Sequence, residues 1–214
     1  MKKLIYSIIY MCYSKEVSII TYIIGLVGCY NLYFNLDLKI ESIFFAWVVQ
    51  MQLIEYFLWK NQECKKTNEI TTKLGIIINH LEPIAFYIGI LLFSMKTLPL
   101  FVHVMVLIYM IIIYNYINLN KINTIKCTTV NDKSKPHLYW EWNYKNMYEY
   151  VYLYFLIILV TLSIYGLENG IIQSGLICFG FIGSYIIYGN THSVGAMWCF
   201  YSSILPWIYS YLIS

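Results

Sequence analysis

The stretch LPLFVHVMVLIYMIIIYNYI, Leu98–Ile117, runs for twenty residues without a charged side chain. At 1.5 Å per residue such a helix is about 30 Å long, the thickness of a bilayer's hydrocarbon core. Lipid offers no partner to a free backbone N–H or C=O, so a segment that crosses it has to be helical. Six more runs share this length and character: Val17–Leu36, Ser42–Trp59, Leu74–Ser94, Tyr150–Leu167, Gly170–Tyr188 and Val194–Ile213. The sequence therefore predicts an all-α fold, a polytopic membrane bundle of about seven transmembrane helices. One domain covers residues 17–214, preceded by a short segment, 1–16. Composition agrees. Apolar and aromatic residues make up 60% of the chain and charged ones only 12%, against roughly a quarter charged in soluble domains. No Pro-rich or Gly/Ser-rich linker divides the 214 residues.

The connections set the orientation. Alternating crossings place Lys2, Lys3, Lys15, Lys60, Lys65, Lys66, Lys73, Lys121, Lys126, Lys133, Lys135 and Lys145 on one side, and only Lys39 and Lys96 on the other. Lysine accumulates on the cytoplasmic side, so the amino terminus is expected there and Ser214 on the opposite side. Lys2 and Lys3 followed by Leu4–Tyr13 resemble the start of a signal peptide, but Ser14-Lys15-Glu16 supplies no small-residue cleavage site. Ten residues are too few to span, and the expectation is a helix lying on the membrane surface.

Cys12, Cys64 and Cys127 fall on the expected cytoplasmic side, where thiols stay reduced. No C-x-x-C pair is present, so zinc-knuckle and dithiol redox chemistry receive no support. Tyr139, Trp140, Trp142, Tyr144, Tyr148 and Tyr150 crowd the start of the fifth span, and interfacial anchoring accounts for most of them. All basic residues are lysine; without arginine, base and phosphate recognition lacks its usual side chain. Membrane lipids are the expected partners and nucleic acid is not. Abundant Ile, Tyr, Asn and Lys fit an AT-rich genome, so the 23 tyrosines carry little functional meaning one by one.

Ionisable groups inside spans are costly and are functional candidates. Glu55 lies about one turn from the inner end of the second span, and His80 and Glu82 about two turns into the third, so all three have similar depth. His103 belongs to the outer layer. Val48, Gln52, Glu55 and Trp59 follow one helix face, and Pro83 frees the Asn79 carbonyl beside the polar group. His137 and Glu141 are four apart ahead of the fifth span, His192 precedes the seventh, and Gly195-Ala196 permits close helix approach with Trp198 at the inner rim. One inner-face cluster follows: Glu55, Asn79, His80, Glu82, His137, Glu141 and His192. Glu55, His80, Glu82, His137 and His192 are the candidate acids and bases; Glu55, His80 and His192 are the candidate metal ligands. The alternative is that Tyr hydroxyls, Gln52 and Asn79 satisfy the carboxyls and fix packing. No H-E-x-x-H spacing supports a metal, and no cofactor is identified. The last span has neither the lysine of a retinal protein nor the H-x-x-x-H of the seven-span zinc hydrolases.

Met11-Cys12-Tyr13-Ser14 with Val17-Ser18, Met51-Gln52 with Glu55 and Trp59, Thr72-Lys73 with Asn79 and Pro83, His137-Leu138-Tyr139-Trp140 with Trp142, and Met197-Trp198-Cys199 are the scattered motifs of a resemblance. Through them the chain resembles a family of small multi-spanning membrane proteins met in giant DNA viruses and in algae and other protists. The resemblance implies a source and weights these positions; it implies no reaction. If Met11 matches the family's usual start, Met1–Tyr10 is an extension. The expected function is that of a multi-pass protein of a host or virion membrane. Whether it is an enzyme stays open: a lipid-modifying enzyme with a cytoplasmic-facing His/Glu site and a proton or small-solute transporter are the alternatives.

Overall fold

Ser14 opens the first helix, its Oγ accepting the Val17 N–H at 3.3 Å. The computed structural model describes residues 14–130, 138–188 and 194–214, the side chains of 187 and 188 apart. Among them are eight α-helices: α1 Lys15–Tyr30, α2 Lys39–Lys60, α3 Lys66–Phe93, α4 Leu100–Leu119, α5 Tyr148–Gly166, α6 Gly170–Tyr188, α7 Val194–Ser202 and α8 Leu205–Ile213. The only β pairing among the described residues is the isolated bridge Val130–Leu138. Five helices are long and apolar enough to cross a membrane: α1 with its continuation to Asn35, α2, α3, α4 and α5. The faces turned outward agree; Leu92, Leu107, Leu153, Phe179 and Ile186 are all exposed.

Helices that follow one another in the chain pack side by side, α3 also meets α5, and α7 returns to α2. Small residues make the first contact close. Ser18, Thr21, Gly25 and Gly28 line the buried face of α1, the pattern that lets backbones approach where lipid gives no hydrophobic drive. A Cβ on Gly25 would lie 2.7 Å from Val49 Cγ2 of α2, and one on Gly28 would lie 2.8 Å from Pro206 of α8. Hydrogen bonds tie the same elements: Ser42 Oγ donates to Cys29 O at 2.7 Å, and Trp207 Nε1 to Ile24 O at 3.0 Å.

Three expectations are corrected. The run Val194–Ile213 is not one helix but two, α7 and α8. Pro206 lacks the N–H that would continue the ladder, and Ser203 and Ile204 close a turn onto Cys199, Phe200 and Tyr201. Trp140 and Trp142 are not interfacial anchors. They are 1% and 0% exposed and stacked with ring centroids 5.4 Å apart. Cys64 and Cys127 are not free thiols but a disulfide, with Cα atoms 5.4 Å apart.

The last two corrections share a cause. The loops at the lysine-rich end form a folded cap. α3 starts at Lys66, two turns before the apolar run, and its polar first turns reach the cap. Asn68, fully buried, donates from Nδ2 to Thr128 O at 2.8 Å and to Asn61 O at 2.6 Å, while its Oδ1 accepts the Thr128 N–H at 2.9 Å. Gln62 Oε1 accepts the Val130 N–H at 2.8 Å, and Tyr116 donates to Trp142 O at 2.6 Å. The disulfide fastens this lattice, joining residues 63 apart in sequence. Reduction, or Cys127→Ser, is expected to lower stability by about 2–4 kcal/mol. Thermal unfolding in detergent, with and without reductant, measures it; superimposable curves would contradict a closed bond.

Candidate functional site

Three of the predicted site residues, Glu55, His80 and Glu82, are buried, at 1%, 2% and 0% exposure. The shared polar layer predicted for them is instead divided among different neighbours. Glu55 Oε2 accepts from Gln52 Nε2 at 3.1 Å, and Gln52 Oε1 accepts from Thr21 of α1 at 2.7 Å. His80 Nδ1 pairs with the Ile76 carbonyl at 2.8 Å; a carbonyl only accepts, so Nδ1 carries the proton. The His80 ring lies between Tyr116 and Tyr152, with centroids 5.9 and 6.1 Å away. Glu82 lies beside the Trp198 indole and near Tyr109, yet neither of its oxygens nor Trp198 Nε1 closes a hydrogen bond among the described residues. No hydrogen bond or ion pair joins any two of Glu55, His80 and Glu82 among those residues.

Glu141 departs further from expectation. It sits in the cap and pairs with Lys145 rather than entering the bundle. His137 and His192 lie outside the described residues. Among the described residues no three His, Cys, Asp or Glu side chains group as a metal site requires. His103 meets Tyr87.

What the fold does assemble is a cavity of about 460 Å³, within the range of small-molecule sites, roughly 300–1,000 Å³. It lies between α5 and α6, at the end of that hairpin away from its Leu167–Asn169 turn, with α3, α7 and the cap as its back. Most of the wall is apolar: Leu153, Phe155, Leu156, Phe181, Ile182 and Trp198. Leu153, Ile182 and Tyr185 are 56%, 48% and 56% exposed, so the cavity opens sideways, where lipid would lie. Tyr148 and Glu149 stand at the rim with Tyr144. Tyr144 accepts the Val194 N–H at 3.3 Å, and burial pushes its phenol well above the ordinary value, so it serves there as a neutral hydroxyl.

The polar corner joins three elements. Asn143 of the cap accepts at Oδ1 from Asn79 Nδ2 of α3, at 3.3 Å, and from the Tyr152 hydroxyl of α5. Asn79 Nδ2 also donates to that hydroxyl at 2.8 Å. Both asparagines are nearly fully buried, at 3% and 5% exposure. Asn79 and Trp198 stood out in the sequence; Asn143 and Tyr152 did not. The aromatic run around Asn143 read as an anchor, and Tyr152 is one tyrosine of 23.

No family model matches the chain, and no curated protein or solved structure matches it either.

Gly195 holds the corner in place. A Cβ there would lie 2.5 Å from Asn143 Nδ2 and 2.9 Å from the Trp140 ring. Gly195→Ala is expected to cost about 1–3 kcal/mol through overpacking and to displace Asn143. Thermal unfolding of the purified variant checks this, and an unchanged midpoint would show that the contact yields freely.

Proposed function

We propose that this chain is a seven-crossing integral membrane protein that holds a lipid-like amphiphile in the cavity between α5 and α6. The observation that carries the reading is the form of that cavity: apolar walls, one buried polar corner, and a side opening bordered by exposed Leu153 and Ile182. A water-soluble ligand has no use for a mouth in the hydrocarbon layer; an acyl or polycyclic chain enters there directly. The sixth crossing is α6, and the seventh is α7 and α8, which with the turn at Ser203 and Ile204 cover residues 194–213, about the length of a span. The amino terminus and the lysine-rich cap lie in the cytoplasm, and the resemblance favours a host-cell or virion membrane.

The disulfide pulls against that orientation, since such bonds persist in oxidising surroundings. Twelve lysines against two outweigh it, because each cytoplasmic lysine biases insertion separately. A second reading, acid–base chemistry on the held lipid, is favoured by one observation. Buried Glu82 interacts with the indole of Trp198, which lines the cavity.

Two outcomes test the reading. A thiol engineered after Ser214 should react with an impermeant maleimide from outside intact cells, while one placed in the cap should not; the reverse pattern inverts the orientation. Protein purified in mild detergent should carry bound lipid detectable by native mass spectrometry. Leu156→Trp, which fills the cavity, should strip that lipid while leaving the melting temperature unchanged to within a few degrees.

A further inference from the structure

The polar corner of the cavity is more specific than its apolar wall. Asn143 Oδ1 receives two donors, which fixes the orientation of that amide and turns Nδ2 the other way. Asn79 spends Nδ2 on Asn143 and Tyr152, which fixes its own amide and leaves Oδ1 turned away from them. Neither Asn143 Nδ2 nor Asn79 Oδ1 has a hydrogen-bond partner among the described residues, and both residues line the cavity. The corner therefore holds one spare donor group, beside Gly195, and one spare acceptor, on side chains that are at least nine-tenths buried. Buried polar groups are costly to leave unpaired, so a ligand that completes both is favoured.

A hydroxyl does this, since it accepts from Asn143 Nδ2 and donates to Asn79 Oδ1. A carboxylate or a phosphate dianion has no hydrogen to give Asn79. It would also enter a cavity with no lysine among its described lining residues and with Glu149 at the rim. An ammonium could donate to Asn79 but would leave the Asn143 N–H groups unmatched. We propose that the ligand is a neutral lipid alcohol, its hydroxyl seated between Asn79 and Asn143 and its hydrocarbon body against Leu156, Phe181 and Ile182. The proposal rests on the reading of the cavity as a lipid site and adds the headgroup.

The test uses the full chain in nanodiscs and a diazirine-bearing octadecanol as photolabel, with unlabelled competitors of one chain length: octadecanol, its O-methyl ether, octadecyl phosphate and octadecylamine. Octadecanol is expected to compete at least about tenfold better than the other three, a difference of ~1.4 kcal/mol. The ether is the sharpest comparison, because it keeps the acceptor and loses only the hydrogen offered to Asn79. Asn143→Asp keeps the acceptor that Asn79 and Tyr152 require and removes the Nδ2 donor. It should abolish the preference for the alcohol while labelling by a diazirine alkane persists. Should that variant fold poorly, the four-way competition on the unaltered chain still decides. Equal competition by all four overturns the headgroup assignment and leaves a lipid cavity standing. No competition by any of them, with labelling insensitive to Leu156→Trp, removes the cavity reading itself.

Discussion

One side-chain carbonyl, Asn143 Oδ1, is the joint on which the lysine-rich end depends. It draws in the Asn79 amide of α3 and the Tyr152 hydroxyl of α5, and it belongs to neither helix. Asn143 reaches that depth because the stacked Trp140 and Trp142 are driven into the bundle beside it and because Gly195 leaves room. Inside a low-dielectric region a satisfied polar network specifies one arrangement strongly, since every alternative strands a donor or an acceptor. The polar corner of the cavity and the start of α7 are set by the same few contacts.

Apolar run length gave the helices their positions because it tracks the constraint that lipid imposes. α4 covers Leu100–Leu119 against an expected Leu98–Ile117, and α5 covers Tyr148–Gly166 against Tyr150–Leu167. The same criterion missed the start of α3, since the turns carrying Asn68 and Thr72 are polar yet helical. It also merged α7 with α8, because Ser202 and Ser203 barely interrupt an apolar run while Pro206 breaks the backbone ladder. Burial of Glu55, His80 and Glu82 followed from the rule that charges avoid lipid. Their distribution among separate neighbours did not follow, because equal depth on two helices says nothing about rotation toward a third.

The cap lay beyond local reading for a different reason. Its stabilising contacts are between residues far apart in sequence: Asn68 with Thr128, Gln62 with Val130, Tyr116 with Trp142. Aromatic density just ahead of a span marks a membrane interface in most chains. Here the same rings serve as a plug, and nothing in Trp140-Glu141-Trp142-Asn143 alone separates the two uses. The polar corner inherits that invisibility, since one of its three members sits on the plug.

The bond between Cys64 and Cys127 also changes what kind of object the chain is. It closes a covalent ring that runs through α3, the turn at Ser94–Pro99 and α4. Met95, wholly exposed at the far tip, is where a protease would meet that ring first. A single cut there opens the ring and divides nothing: both halves stay one molecule, held at the opposite end of the bundle. Neither helix of the pair can then be lost from the membrane without carrying the other, so damage on one side is answered by a linkage on the other.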